Sequence, residues 1–101
     1  RLLFGRGSMI DARSRPRRRE RVLTQTAAGT LVLLDLDGGQ YYSLDEVSAR
    51  VWELCDGEHG VEGIVEAVSA EYDAPVETIY EDVLAFLEEM MDEKLLVVEG
   101  A

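Results

Sequence analysis

The side chains able to do chemistry are few and badly spaced for it. His59 is the single histidine and lies in the polar stretch 56–60 with no serine or cysteine beside it. A nucleophile paired with a base therefore has no members here. Glu58 and His59 could both touch a metal ion, but two adjacent loop ligands do not define a coordination sphere. Cys55, the only cysteine, falls on an apolar helical stripe, where a thiol acts as a small hydrophobe. Glu53, Glu62, Glu66, Glu81, Glu88 and Glu89 read as solvated helix faces rather than as the paired carboxylates of acid–base catalysis. Gly38-Gly39 precedes no helix and so cradles no phosphate. The chain reads as a non-enzyme, with no catalytic residue, cofactor or metal assigned.

The elements that would hold a site are easier to read. Residues 22–27 are a short β-prone run, and residues 30–36 alternate, with Val32, Leu34 and Leu36 opposite Leu31 and Leu33. Asp37-Gly38-Gly39 supplies turn residues, and residues 40–44 run back, so a three-stranded antiparallel meander is predicted. Ser43 and Glu46 fit a capping box for a first helix whose stripe is Val47, Val51, Leu54 and Cys55, stopped at Asp56-Gly57. Val61, Ile64, Val65, Val68 and Tyr72 mark a second helix. Pro75 opens a third, over about 75–92. There Val76, Ile79, Tyr80, Val83 and Leu87 form one stripe, and Leu84, Phe86, Met90 and Met91 widen it beyond a single core-facing face. Residues 95–98 end as a short strand or apolar tail. The fold class is α+β, winged helix-turn-helix-like, with the three-stranded sheet followed by three helices.

Charge divides the chain in two. Residues 1–21 hold eight arginines against two carboxylates, and residues 22–101 hold two cations against nineteen carboxylates, a net of +6 against −17. Residues 9–20, with Pro16 and little apolar content, are expected to be a disordered basic arm, since they bury too little to offset ordering entropy. Gly7-Ser8-Met9 has the look of a cloning junction, and residues 1–8 are set aside. This leaves a domain over residues 21–98. One thiol excludes an internal disulfide and a zinc framework. Residues 1–9 lack the apolar run of a secretory signal, and no run approaches the ~20 apolar residues of a membrane helix, so a cytoplasmic, membrane-free protein is expected. The acidic body repels phosphate, and the third helix carries Glu77, Glu81, Asp82, Glu88, Glu89, Asp92 and Glu93, the reverse of a DNA-reading helix. Nucleic-acid binding through the arm remains the alternative reading.

Peptide binding fits the pattern better. In a hairpin meander the strand at residues 40–44 is an edge, and an extended peptide can add to it. The broad apolar girth of the third helix would floor the groove. Periodicity alone leaves open whether that girth instead completes the core, or whether residues 95–98 cover the edge.

The stretches Leu31-Val32-Leu33-Leu34-Asp35-Leu36, Gly39-Gln40-Tyr41-Tyr42-Ser43-Leu44-Asp45 and Val51-Trp52-Glu53-Leu54-Cys55-Asp56-Gly57 resemble the PqqD family. So do Ile64-Val65, Tyr72-Asp73-Ala74-Pro75, Asp82-Val83 and Leu95-Leu96, in that order, over about residues 21–97. The resemblance implies a recognition element for ribosomally made peptides. Such an element binds the leader segment of a precursor by strand addition and presents it to a modifying enzyme such as a radical enzyme, protease or cyclase, in quinone-cofactor or lasso-peptide biosynthesis. It places the site on Gln40, Tyr41, Tyr42, Ser43 and Leu44, facing Ile79, Tyr80, Val83, Phe86, Leu87 and Met90. The Tyr-Tyr-x-Leu segment and Trp52 are similar to standalone lasso-peptide recognition proteins. Gly60 departs from the usual Ser or Thr cap, and a homodimer by exchange of elements is compatible with so small a domain.

Overall fold

The computed structural model describes Ile10 and residues 13–99; the expectation for residues 1–8, and that for the arm at residues 9, 11 and 12, lie outside the described residues. The element order is β1 (Arg15–Arg18), β2 (Val22–Ala27), β3 (Thr30–Asp35), β4 (Gln40–Leu44), α1 (Glu46–Glu53), α2 (Val61–Glu71), α3 (Val76–Asp92) and β5 (Leu96–Glu99). β2, β3 and β4 form the expected antiparallel meander in that spatial order, leaving β2 and β4 as edges. Ala28 and Gly29 close the first hairpin, both at positive φ, as a two-residue turn between right-twisted strands demands. β3 ends at Asp35, one residue early. The second loop is closed by the Gly39 N–H donating to the Asp35 carbonyl at 2.8 Å.

The register sorts the sheet into two faces. Leu33 pairs with Tyr42 and Leu31 with Leu44, so Tyr42 and Leu44 lie on the core side with the fully buried Leu33. Leu23, Leu34 and Tyr41 form a cross-strand row on the outer side, and all three are exposed. The three helices cover the inner side. Val51 and Trp52 from α1, Cys55 just beyond its end, Val61, Ile64 and Val68 from α2, and Val83 and Leu87 from α3 are almost wholly buried. At roughly 25 cal/mol per Å2 of apolar surface, a cluster of this kind supplies the main driving force for folding.

Residues 15–18 of the expected arm are ordered as β1, which corrects the reading of residues 9–20 as disordered. β1 pairs antiparallel with β5, Arg15 opposite Glu99 through Arg18 opposite Leu96. Its other side grips the loop between α1 and α2. The Gly57 N–H donates to the Pro16 carbonyl (2.9 Å), the Arg18 N–H to the Cys55 carbonyl (3.1 Å), and the Val61 N–H to the Ser14 carbonyl (2.9 Å). Arg18 Nη1 reaches the carbonyls of Trp52 (2.9 Å) and Glu53 (2.8 Å), placing a cation at the negative end of α1. Ser14 and Pro16 are fully buried. Backbone hydrogen bonds and the Arg18 guanidinium contribute to this order, and hydrophobic periodicity registers neither. The C-terminal strand β5 therefore pairs with β1, and no described strand pairs with the β4 edge.

The helix ends differ from expectation in instructive ways. Ser43 belongs to β4, so the cap of α1 moves to Asp45, whose Oδ1 accepts the Ser48 N–H at 2.8 Å. α1 stops at Glu53, and Gly57 uses its positive φ in the loop that β1 holds, not as a helix cap. Gly60 caps α2 with no side-chain bond, and the Ser14 carbonyl takes up the Val61 N–H there. α3 ends in a Schellman motif: the Lys94 N–H donates to the Met91 carbonyl and the Leu95 N–H to the Met90 carbonyl, with Lys94 at φ 64°. No helix among the described residues is long and apolar enough to cross a membrane.

Candidate functional site

The candidate site is built where β4 hands the chain to α1. β4 is an edge strand, and Asp45, the residue after it, opens a cleft of about 390 Å3 between the first turns of α1 and one face of α3. The floor is apolar: Val51, Ile79, Val83 and Phe86, all buried or nearly so. The exposed rim consists of Asp45, Asp82, Ala85 and Glu89, with half-buried Val47 and Ser48 on the α1 side. Positions 82, 86, 89 and 93 follow one another at helical spacing along α3. At the end of that line Glu93 Oε1 lies 2.9 Å from the Tyr42 hydroxyl of β4, joining strand and helix. The same hydroxyl is 2.8 Å from the side-chain oxygen position of Gln40. A phenol has one proton to donate, so both contacts are satisfied when the Gln40 amide is turned to donate and Tyr42 donates to Glu93. The hydrogen bond to Glu93, some desolvation, and the charges of Glu93 and Asp35 raise the Tyr42 pKa and keep the phenol protonated.

The residues singled out from the sequence separate into three groups. Ile79, Val83 and Phe86 line the cleft. Leu87 and Met90 are sealed in the core at 0% and 3% exposure, Leu44 is buried at the foot of β4, and Tyr80 packs half-buried against the core. Gln40 and Tyr42 project on the inner side of the sheet. Tyr41 and Ser43 project on the outer side, so what they can offer the cleft is backbone. Most of the girth of α3 is thus core. The α1 wall of the cleft, Val47, Ser48 and Val51, was missed; its only signal was that a helix must start directly after the edge strand. Asp82, Ala85 and Glu89 were missed as rim residues because exposed carboxylates look alike in sequence.

The other titratable groups have structural surroundings. Asp56 Oδ1 accepts the N–H groups of Glu58 (2.9 Å) and His59 (3.0 Å), and Oδ2 is 2.9 Å from His59 Nδ1. Partial desolvation pushes this carboxyl up, but the Glu58 N–H and the His59 ring and N–H together outweigh it and hold the pKa at about 2. Burial pushes the Cys55 thiol to about 12, with Arg18 opposing and Asp56 adding to the shift, and its S–H donates to the Val51 carbonyl. A thiol held protonated is no nucleophile. No group of three metal-ligating side chains occurs among the described residues.

The family of the chain is shown by its likeness to known proteins. Residues 30–96, from the first residue of β3 to the first of β5 and including every cleft residue, match the family model described as coenzyme PQQ synthesis protein D (PqqD). The chain belongs to the PqqD family. Among curated PqqD-family relatives, the PqqA binding protein of Bradyrhizobium diazoefficiens is 38% identical over 52 residues, covering 52% of this chain and 50% of that protein. The match thus spans about half the length of that relative. Among solved structures, TbiB1 in complex with the TbiA(beta) leader peptide superposes with a TM-score of 0.72 at 32% identity, over 84% of this chain and 96% of that one. The PqqD truncation of Methylobacterium extorquens PqqCD, described as a stand-alone recognition element for ribosomally synthesized and post-translationally modified peptides, gives 0.69 at 26% identity, over 81% and 87% of the two chains. The α+β arrangement of a three-stranded antiparallel sheet and three helices is therefore that of PqqD-type recognition elements.

Proposed function

We propose that this chain is a non-catalytic adaptor that takes up the leader segment of a ribosomally made precursor peptide as a further strand on β4. It presents that peptide to a modifying enzyme, a radical enzyme, protease or cyclase, in a pathway of the lasso-peptide or pyrroloquinoline quinone type. The observation that carries this reading is the β4 edge, unpaired among the described residues and followed directly by Asp45 on the rim of an apolar cleft between α1 and α3, with Tyr42 of β4 tied to Glu93 at the end of α3. An added strand satisfies the free backbone groups of Gln40–Leu44, and its alternate side chains enter the floor at Val51, Ile79, Val83 and Phe86. The relatives support the same role, since one is named for PqqA binding and another holds a leader peptide. The meander followed by three helices is of winged helix-turn-helix type, with α3 acting as a cleft wall in place of a DNA reader. Its exposed carboxylates oppose phosphate, and Arg18 of the arginine-rich segment is spent on α1. The cytoplasm, where precursor peptides are made, is the compartment this role implies.

The test is a titration of a fluorescein-labelled leader from a precursor encoded beside this chain. Ala85→Trp fills the cleft from its exposed rim and should weaken binding at least tenfold with the melting temperature unchanged. Tyr41→Ser, on the outer sheet face, should leave affinity within twofold. Equal affinity for the wild type and Ala85→Trp would sink the cleft assignment.

A further inference from the structure

The charge on the cleft rim selects among leaders, an inference that rests on the uptake reading above. Asp45, Asp82 and Glu89 line the cleft, and no arginine, lysine or histidine does. Asp45 has a local role, since it caps α1 at the helix end where negative charge is favourable. Asp82 and Glu89 have no such role. Glu89 stands in the last turns of α3, at the negative end of its dipole, four residues from Glu93, and the last turn holds no basic residue. Like charges four apart on a helix repel, and carboxylates at a C-terminus oppose the dipole. The salt bridges of Arg21 with Asp37 and of Arg50 with Glu53 and Glu71 all lie away from this rim. A cation from outside the chain would relieve this repulsion in the bound state.

We infer that the cleft accepts leader segments in which aliphatic residues entering the floor are flanked by lysine or arginine, set against Asp82 and Glu89. The two carboxylates are seven residues apart, which is about 10.5 Å of helix rise. An extended chain spans that in two to four residues, at ~3.3 Å each, within the reach of long cationic side chains. Backbone pairing and the apolar floor hold the peptide, and the rim pairs discriminate between peptides. Each exposed pair is a small effect that salt screens.

The experiment uses three acetylated and amidated peptides: Val-Lys-Leu-Thr-Leu-Lys-Val and its counterparts with both lysines replaced by glutamine or by glutamate. Each is titrated into the full chain at low and at 1 M salt, with backbone amide shifts as the readout. The lysine peptide should bind about two- to tenfold more tightly than the glutamine peptide, and the glutamate peptide should bind weakest. The order should collapse at 1 M salt and in the doubly substituted variant Asp82→Asn, Glu89→Gln, whose exposed positions leave the fold intact. If all three peptides bind equally and shift Gln40–Leu44, the charge selection is overturned while strand addition stands. If none shifts β4, the uptake reading falls with it.

Discussion

Replacing Arg18 by methionine tests whether the arginine-rich segment is part of the fold. Methionine keeps the apolar stem but removes both hydrogen bonds from Nη1, to the Trp52 carbonyl at 2.9 Å and the Glu53 carbonyl at 2.8 Å. A hydrogen bond from a charged donor contributes about 1.5–3 kcal/mol when partly buried, and the Glu53 bond is exposed and worth less. Loss of a cation from the C-terminus of α1 adds roughly 0.3–1 kcal/mol. With the lower end of each range, the sum is about 2 kcal/mol. For a domain of this size each kcal/mol moves the melting temperature by roughly 4–8 °C, so a drop of about 8–16 °C is expected by circular dichroism. Hydrogen exchange should accelerate at Gly57 and Val61, whose N–H groups are held by Pro16 and Ser14 of the same segment. Arg15→Met, three residues away and exposed, serves as the control and should stay within about 0.5 kcal/mol of the wild type. A melting temperature for Arg18→Met within 2 °C of the wild type would refute this role for the segment.

Three further outcomes follow from the same geometry. Lys94→Gly, at φ 64° in the Schellman turn after α3, should stabilise the chain by about 1 kcal/mol in urea denaturation, because glycine takes that conformation without strain. Asp56 has its folded pKa depressed to about 2, so its contribution is present above the ordinary value of 3.8 and is lost as pH falls toward 2. The stability advantage of the wild type over Asp56→Asn, followed by thermal melts, should shrink across that window. The Cys55 pKa is raised to about 12, so the reverse sign applies: its contribution is complete below the unfolded thiol value of 9 and is lost as pH rises toward 12. Iodoacetamide at pH 8 should leave the folded chain unlabelled by mass spectrometry and label it only in denaturant.

The meander and three helices were legible because each buries a periodic stripe: Leu31 and Leu33 on one strand face, and Val61, Ile64, Val65 and Val68 on one helix face. β1 was not legible, because Ser14, Pro16 and Arg18 are held by backbone partners on the α1–α2 loop and β5 rather than by an apolar pattern. The shift of the α1 cap from Ser43 to Asp45 has a related cause. Sheet pairing carries β4 through Leu44 and takes Ser43 out of contention. For the site, the free edge followed from hairpin order alone. Which residues of α3 face the cleft did not, because a helix packed against α1, α2 and β5 buries most of its circumference, so Leu87 and Met90 are core while Ile79, Val83 and Phe86 line the cleft.

The most direct test of strand addition is a backbone amide NMR titration with the leader peptide of a precursor encoded beside this chain. Shifts should concentrate at Gln40–Leu44, at Val47–Val51 and along Ile79–Glu89, with new slow-exchanging amides on β4 and cross-strand contacts to the peptide. Shifts confined to the arginine-rich segment or to the outer sheet face around Leu23, Leu34 and Tyr41, with β4 amides exchanging as before, would contradict it.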